Sequence, residues 1–437
     1  MTDRPVAHPG AEAHADVRRL LAPSPALGVP IPAYAGRSLP NLSSSVVQAL
    51  GGERSEAALP PLEPSADPFA GRRADGPVLL LLVDGLGYDR LRLRAERPGG
   101  TRAQRWLERT MPLTTVFPTT TTVALASLST ASAPSRHGMV GYRQFLPRYG
   151  AVVDMLRLTP LGVATQDSLV GPTWTPSLVV GAPTIFRHGV SGAVAVSRDQ
   201  FEGKGFTRII YDGAGFEGYS AWADFAGVLS GVLSRPSPPP LVMAYWDELD
   251  TTEHLRGPAS AAVDLEIDRL ADLLEFVARA VPPEAAARTT VLITADHGLV
   301  PTDPRRQVAL DEEPALLELM GRPPTGDRRA GLLKARPGAV DRLRTAVEER
   351  FPPGTKVIPA EQAVRAGLFG PPPFHEELFE RLADLLVLVP SPSGITYAVP
   401  GKTPPRRTLV GAHGGLESEE LLVPLVAGKL ADFGTSE

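Results

Sequence analysis

The chain contains no cysteine. Disulfides, thiolate metal sites and thiol nucleophiles are therefore excluded, and the absence is compatible with any compartment. It also lacks a long apolar run. The longest strongly apolar stretch, VLLLLV at Val78 to Val83, is far short of the ~20 residues that span a bilayer. Its first residues, MTDRPVAHPGAEAHADVRR, show no basic segment followed by an apolar one, so no signal peptide is read there. A basic excess is missing too: 44 Lys and Arg stand against 49 Asp and Glu, a net charge of -5 with both signs dispersed. That argues against a nucleic-acid-binding surface. No P-loop pattern and no internal repeat is present. The expectation is a soluble cytoplasmic protein with no membrane partner.

At 437 residues the chain can bury a large core and holds roughly two to three domain lengths. Residues 1–75 are rich in Pro, Ala and Gly and read mostly as coil lying across the domain surface, the first ~25 residues disordered. Within them LPNLSSSVVQALGG predicts one helix from about Asn41 to Gly51. From Val78 strands are expected at VLLLLV, TTVF, SGAVAV, RIIY, LVMAYW, VLITA and LLVPLVAG. Helical patterns separate several of them. Between Ala259 and Ala280, Val263, Ile267, Leu270, Leu274 and Val277 recur at helical spacing. This alternation predicts an α/β fold whose mainly parallel central sheet is sandwiched by helices. Residues 311–403 differ in character, with a Pro-opened helix at Pro337 to Arg350, strand candidates GLLKA, KVIPA and LLVLV, and the breakers PPG, GPPP and PSPSG. They read as an inserted α+β subdomain, with the core in residues 76–310 and 404–437.

Chemistry-bearing residues gather at the predicted strand ends. Asp84 follows VLLLLV, Asp296 and His297 close VLITADHG, and DELDTTEH follows LVMAYW. In open α/β sheets that carboxyl edge is where ligands bind. An isolated Asp-Gly is more often a plain turn, and DELDTTEH alone is more often a solvated acidic loop. Asp250 and His254, four apart, can converge on one ion, with Asp247 as the rival aspartate. His413 sits in VGAHGG, where glycines permit close approach of the backbone to a ligand. Mixed Asp/His ligation suits zinc first and manganese or iron second. A pair of such ions clamps the attacking and leaving oxygens of a phosphate ester in an in-line displacement. FPTTTT adds four hydroxyls, Thr119 to Thr122, ahead of the helical VALASLSTA. A threonine at a helix N-terminus lies beside free N–H groups that suit a phosphate.

In order, these motifs resemble the alkaline phosphatase superfamily and, within it, the type I phosphodiesterase/nucleotide pyrophosphatase branch. The resemblance covers about Val78 to Pro301 and the return around His413. It implies two divalent metal ions per chain, zinc first and manganese second. Asp84, Thr121, Asp296 and His297 would surround one, and Asp250, His254 and His413 the other. VFPTTTTVALASLSTASAPSRHGMVGY is similar to the family's FPT-x-T stretch and puts Thr121 at the nucleophile position, which implies a covalent phosphothreonine-type intermediate. Tyr245 matches a tyrosine that packs against the leaving group, with Trp246 as a second candidate wall. Tyr142 stands where the branch usually has a phosphate-binding asparagine, and Thr122 where diesterases usually carry a large apolar residue. If the stretch is extended, Tyr142 and Arg143 point to opposite sides, and register puts Tyr142 toward the metals. The implied substrate is a small phosphate ester, a nucleotide diester or pyrophosphate. The alternatives are a phosphomonoesterase on the same site, a phosphonate hydrolase, and a degenerate binding module without catalysis. A sulfatase of this fold needs Cys or Ser where Thr121 stands.

Overall fold

The computed structural model describes residues 10–399 and 408–434, with side chains from residue 15 onward. The expected return boundary at 403–404 lies outside the described residues. Seven strands build the central sheet: β1 (Val78–Val83), β2 (Thr110–Thr114), β3 (Val194–Arg198), β4 (Gly215–Tyr219), β5 (Leu241–Trp246), β6 (Thr290–Thr294) and β7 (Leu422–Lys429). Their order is β2-β7-β6-β1-β5-β3-β4. From β6 to β4 all neighbours are parallel, and β7 runs antiparallel to both β6 and β2. This is the mainly parallel α/β sheet expected. Every residue of β1 and β5 is buried, because helices cover both faces and a strand read from both sides must be apolar throughout. The helix Ala261–Ala280 turns Val263, Ile267, Leu270, Leu274 and Val277 into the core, the stripe that its spacing predicted.

Three local expectations differ from the fold. RIIY ends the helix Gly205–Ile210, burying Phe206, Ile209 and Ile210; their spacing of three and four is helical, and a short apolar run alone does not separate strand from helix. The strand expected at TTVF ends at Thr114, and the Thr115 N–H turns to the Leu421 carbonyl. The helix expected from Pro337 begins at Val340, because Gly338 adopts φ +72° and breaks helical continuity.

The N-terminal segment is more ordered and more buried than its composition suggests. Gly10–Leu20 is helical, and the helix Leu39–Ala49 enters the main core with Leu39, Leu42 and Val46 fully buried. Ser43 Oγ donates to the Leu128 carbonyl at 2.6 Å, fastening this helix to the helix Thr121–Thr130. The segment braces the helix that starts with the candidate nucleophile.

A second seven-stranded sheet runs Lys356–Pro359, Leu385–Leu388, Ala330–Leu333, Thr325–Gly326, Arg143–Leu146, Ala151–Asp154, Thr159–Pro160, with antiparallel neighbours throughout. The expected strands of residues 311–403 are here. They share the sheet with three strands from 143–160, a stretch grouped with the core by sequence. An isolated hairpin is at best marginally stable, and pairing Gly326 with Arg143 merges the two hairpins. Arg329, buried, pairs with Glu420 at 3.0 Å and Glu417 at 2.5 Å, so this sheet is tied to the segment that carries His413. Among the described residues no helix is long and apolar enough to cross a membrane.

Candidate metal centre

β6, β1 and β5 lie side by side, so Asp296, Asp84 and the helix Glu248–Arg256 leave the sheet at one edge. Gly85 lets them close up: at φ +85° it accepts the approach of Asp250, whose Cα would lie 3.0 Å from any Cβ placed there. The Asp250 N–H donates to the Asp84 carbonyl at 3.1 Å. Two sets of ligand atoms result, each mutually within 4.8 Å: Asp84, Asp296 and His297, and Asp250, His297 and His413. His254 belongs to neither set, although its Nε2 is 3.3 Å from Asp250 Oδ1 and its ring 5.1 Å from that of His413. The rings of His297 and His413 stack at 3.8 Å. Asp247, the rival aspartate, is engaged elsewhere: it accepts from Arg198 Nε at 2.9 Å.

The threonine run resolves one residue at a time. Thr119 Oγ donates to the Gly415 carbonyl and accepts from the Gly414 N–H, both at 3.0 Å. Thr122 Oγ donates to the Gly141 carbonyl at 3.1 Å. Thr120 caps the helix in extended conformation, its Oγ buried without a hydrogen bond. Thr121, the first helical residue, sets its Oγ 3.2 Å from His297 Nε2.

The donor set fits divalent cations. Asp84 Oδ1, Asp250 Oδ1, Asp296 Oδ2 and His297 Nδ1 are buried and make no hydrogen bond, a state costly for charged oxygens unless a cation is present. Burial pushes the Asp84 carboxyl well above the usual carboxylate range, and the charges of Asp296 and Asp250 push it further. Asp250 is raised to about 6, by burial first and only partly relieved by His254. Asp296 is raised to about 6 by burial, against donation from the Gly85 N–H. Burial and the neighbouring His254 lower His297 to about 3, and burial with His297 beside it drops His413 well below the ordinary value. Neutral imidazoles are the ligating form. His254 Nδ1 meets the Gly411 carbonyl at 2.8 Å and His413 Nδ1 the Thr119 carbonyl at 2.9 Å. Carbonyls only accept, so both Nδ1 atoms carry the proton and both Nε2 atoms are left with a lone pair to give, as in metal-binding histidines whose other ring nitrogen is held by a backbone carbonyl.

Both Tyr142 and Arg143 line a cavity of about 570 Å³ that also reaches His254 and His413. The expected strand alternation does not separate them, because the strand starts only at Arg143 and Tyr142 sits in the bend before it. Tyr245 reaches the centre by its hydroxyl, which hydrogen-bonds Asp84 Oδ2, and does not line that cavity. Trp246 is 1% exposed and stacks on Tyr219, so it offers no wall to a substrate. Sequence reasoning missed Asp327, whose Oδ2 is buried, makes no hydrogen bond and lies 3.7 Å from His413 Nδ1, and Arg328 beside it. They occur in TGDRRAG, which reads as a charged surface turn and gives no signal of a site.

The parallel sheet with a carboxylate–imidazole centre at its edge defines a protein of the alkaline phosphatase superfamily. Within it the chain belongs to the type I phosphodiesterase/nucleotide pyrophosphatase family, whose model matches residues 78–416. Its fold is similar to murine ectonucleotide pyrophosphatase/phosphodiesterase 5, at 19% identity over 80% of this chain and 87% of that one, TM-score 0.60. The human counterpart matches at 17% identity over 80% and 87%, TM-score 0.59. Phosphonoacetate hydrolase from Sinorhizobium meliloti 1021, in complex with phosphonoacetate, matches at 17% identity over 82% and 91%, TM-score 0.58. No curated protein matches the chain.

Proposed function

We propose that the protein is a two-metal phosphate-ester hydrolase acting on diesters or pyrophosphates of nucleotides. The observation that carries this reading is the pair of ligand sets joined at His297 with the Thr121 hydroxyl 3.2 Å from that same ring. Asp84, Asp296 and His297 would hold one divalent ion, and Asp250, His413 and the adjacent His254 the other. Zinc suits this donor mixture best, manganese next. Bound there, the ions lower the pKa of a hydroxyl and neutralise charge on the transferred phosphoryl group. Thr121 supplies the nucleophile: its Oγ bonds to phosphorus, the bond to the leaving oxygen breaks, and water later hydrolyses the phosphothreonine ester. The helix N-terminus at Thr121 sets backbone N–H groups beside the phosphate. Tyr142, at the rim of the same cavity, serves as a substrate contact. Tyr245 holds Asp84 in place through its hydroxyl, and a direct contact with the leaving group remains the role that resemblance gives it. Nucleotide chemistry is supported by an inactive form of the murine relative in complex with AMP. We place the protein in the cytoplasm.

A phosphomonoesterase is the second reading, favoured by Arg143 in the cavity wall, since a guanidinium rewards a dianionic phosphate. The 4-nitrophenyl ester of thymidine 5′-monophosphate and 4-nitrophenyl phosphate, at equal concentration with added zinc, separate the two. The proposal expects faster diester turnover that disappears in Thr121→Ala. Preferential monoester turnover moves the protein to the second reading, and inertness toward both removes the hydrolase reading.

A further inference from the structure

The cavity beside His254 and His413 is lined by Arg143 and Arg328, neither of which makes an ion pair among the described residues, although Asp154, Asp311, Glu312 and Asp327 line it too. Arg328 is half-buried, and its guanidinium makes no hydrogen bond or ion pair among the described residues. Arg143 spends one N–H on the Tyr397 carbonyl at 3.2 Å and also has no carboxylate partner among them. Three of the cavity's acids accept hydrogen bonds from main-chain donors and make no ion pair with either guanidinium. Asp154 accepts from the Arg157 N–H at 3.2 Å, Asp311 from the Ala398 N–H at 2.9 Å, and Asp327 Oδ1 from the N–H of Arg328 itself. Glu312 is exposed at the mouth. Burial lowers the Arg328 pKa, and the Arg143 charge lowers it further against the pull of Asp327.

Two half-buried guanidinium groups without an ion-paired carboxylate are poorly solvated, and an anion placed between them supplies the missing partner. Arginine on a pocket wall recognises phosphate or carboxylate through paired N–H donors. We propose that Arg328 and Arg143 form an anion subsite that takes a second acidic group of the substrate, a phosphate or a carboxylate carried beyond the scissile phosphorus. Resting on the hydrolase reading above, this selects substrates with two acidic groups over simple diesters with one.

The test compares kcat/KM for ATP (second group phosphate), 2-phosphoglycolate (second group carboxylate) and the single-charge thymidine nitrophenyl diester. In Arg328→Gln the ratio of a two-acid substrate to the diester is expected to fall roughly 10- to 100-fold, the usual loss of a charge-assisted contact. Arg328→Lys should recover part of the ratio, and Arg143→Gln should lower it in the same direction. The substrate whose ratio falls identifies the second group. Ratios within about twofold of wild type in both glutamine variants overturn the subsite. Calorimetric binding of inorganic pyrophosphate to Thr121→Ala protein needs no turnover. Affinity lost on adding Arg328→Gln supports the subsite even if no ester is cleaved and the hydrolase reading fails. Equal affinity with and without Arg328, or no binding at all, overturns it.

Discussion

His413 Nδ1 lies 2.9 Å from the carbonyl oxygen of Thr119, so the segment that returns the last histidine is bonded to the turn that presents Thr121. Thr119 reinforces the link from its side chain, through Gly414 and Gly415. Close approach at this point depends on Gly414, at φ +117° with Asp327 Cβ 2.9 Å from where its own Cβ would be. Thr119→Val keeps the shape and removes both side-chain bonds. Metal affinity is expected to weaken roughly 10- to 100-fold, as when a group that orients a ligating histidine is lost, measured by competition with a chromogenic chelator. Unchanged affinity would show that the carbonyl contact alone orients His413.

Within the threonine run the account separates neighbours. Thr121→Ala should abolish turnover while metal content and thermal midpoint stay near wild type. Thr120→Ala should reduce turnover far less, because its buried Oγ makes no hydrogen bond for the substitution to break. Steady-state rates of the two variants decide it, and an active Thr121→Ala enzyme contradicts the nucleophile.

Asp250 and Asp247 make a second pair. Asp250→Asn should release one metal equivalent and most activity, read by elemental analysis. Asp247→Asn removes one of two carboxylate partners of Arg198, which keeps Glu248 at 2.6 Å, and should leave the metal content intact. Metal lost from the Asp247 variant would mean that the acidic loop has been read in the wrong register.

For Tyr245 the hydrogen bond to Asp84 and the leaving-group contact implied by resemblance predict different things. Tyr245→Phe keeps the ring and loses only the hydroxyl. Metal affinity should drop roughly tenfold with a smaller change in KM. A variant that binds metal as wild type and differs only with bulky leaving groups would restore the wall.

The candidate ligands Asp84, Asp250 and Asp296 stood out in sequence because each lies at or just beyond the end of a short apolar run, and a parallel sheet brings strand ends together whatever the distance along the chain. VLLLLV, LVMAYW and VLITA became adjacent strands, so Asp84, Asp250 and Asp296 met. Asp250 was preferred to Asp247 on its spacing of four from His254, and the structure adds that Asp247 is engaged by Arg198, a contact that spacing does not record. Arg143 and Arg328 were hidden for another reason: the sheet that joins them is antiparallel and pairs residues almost two hundred positions apart through a single bridge, Gly326 to Arg143. Nothing local in GYRQF or TGDRRAG records that pairing. The N-terminal segment was misjudged on composition, since Pro and Ala content hides how completely Leu39, Leu42 and Val46 are buried.

That segment has its own pH signature. Burial raises Glu63, yet hydrogen bonds from Arg19 and Arg37 outweigh it and hold its carboxyl at about 2. A folded-state value below the ordinary one stabilises the fold above about pH 4.5 and loses that contribution as pH falls toward about 2. Glu63→Gln should therefore lower the urea midpoint at pH 6, and the gap to wild type should narrow as pH falls from about 4.5 toward about 2. A gap that widens in acid has the wrong sign for this linkage.

The central claim is that this edge of the sheet holds two divalent ions. Elemental analysis of protein purified with zinc and manganese supplementation, alongside His297→Ala, tests it most directly. Wild type should hold about two ions per chain, and the variant, short of a residue that lies in both ligand sets, should lose at least one of them. Wild type without bound metal, or a His297 variant that retains both ions, would contradict the account.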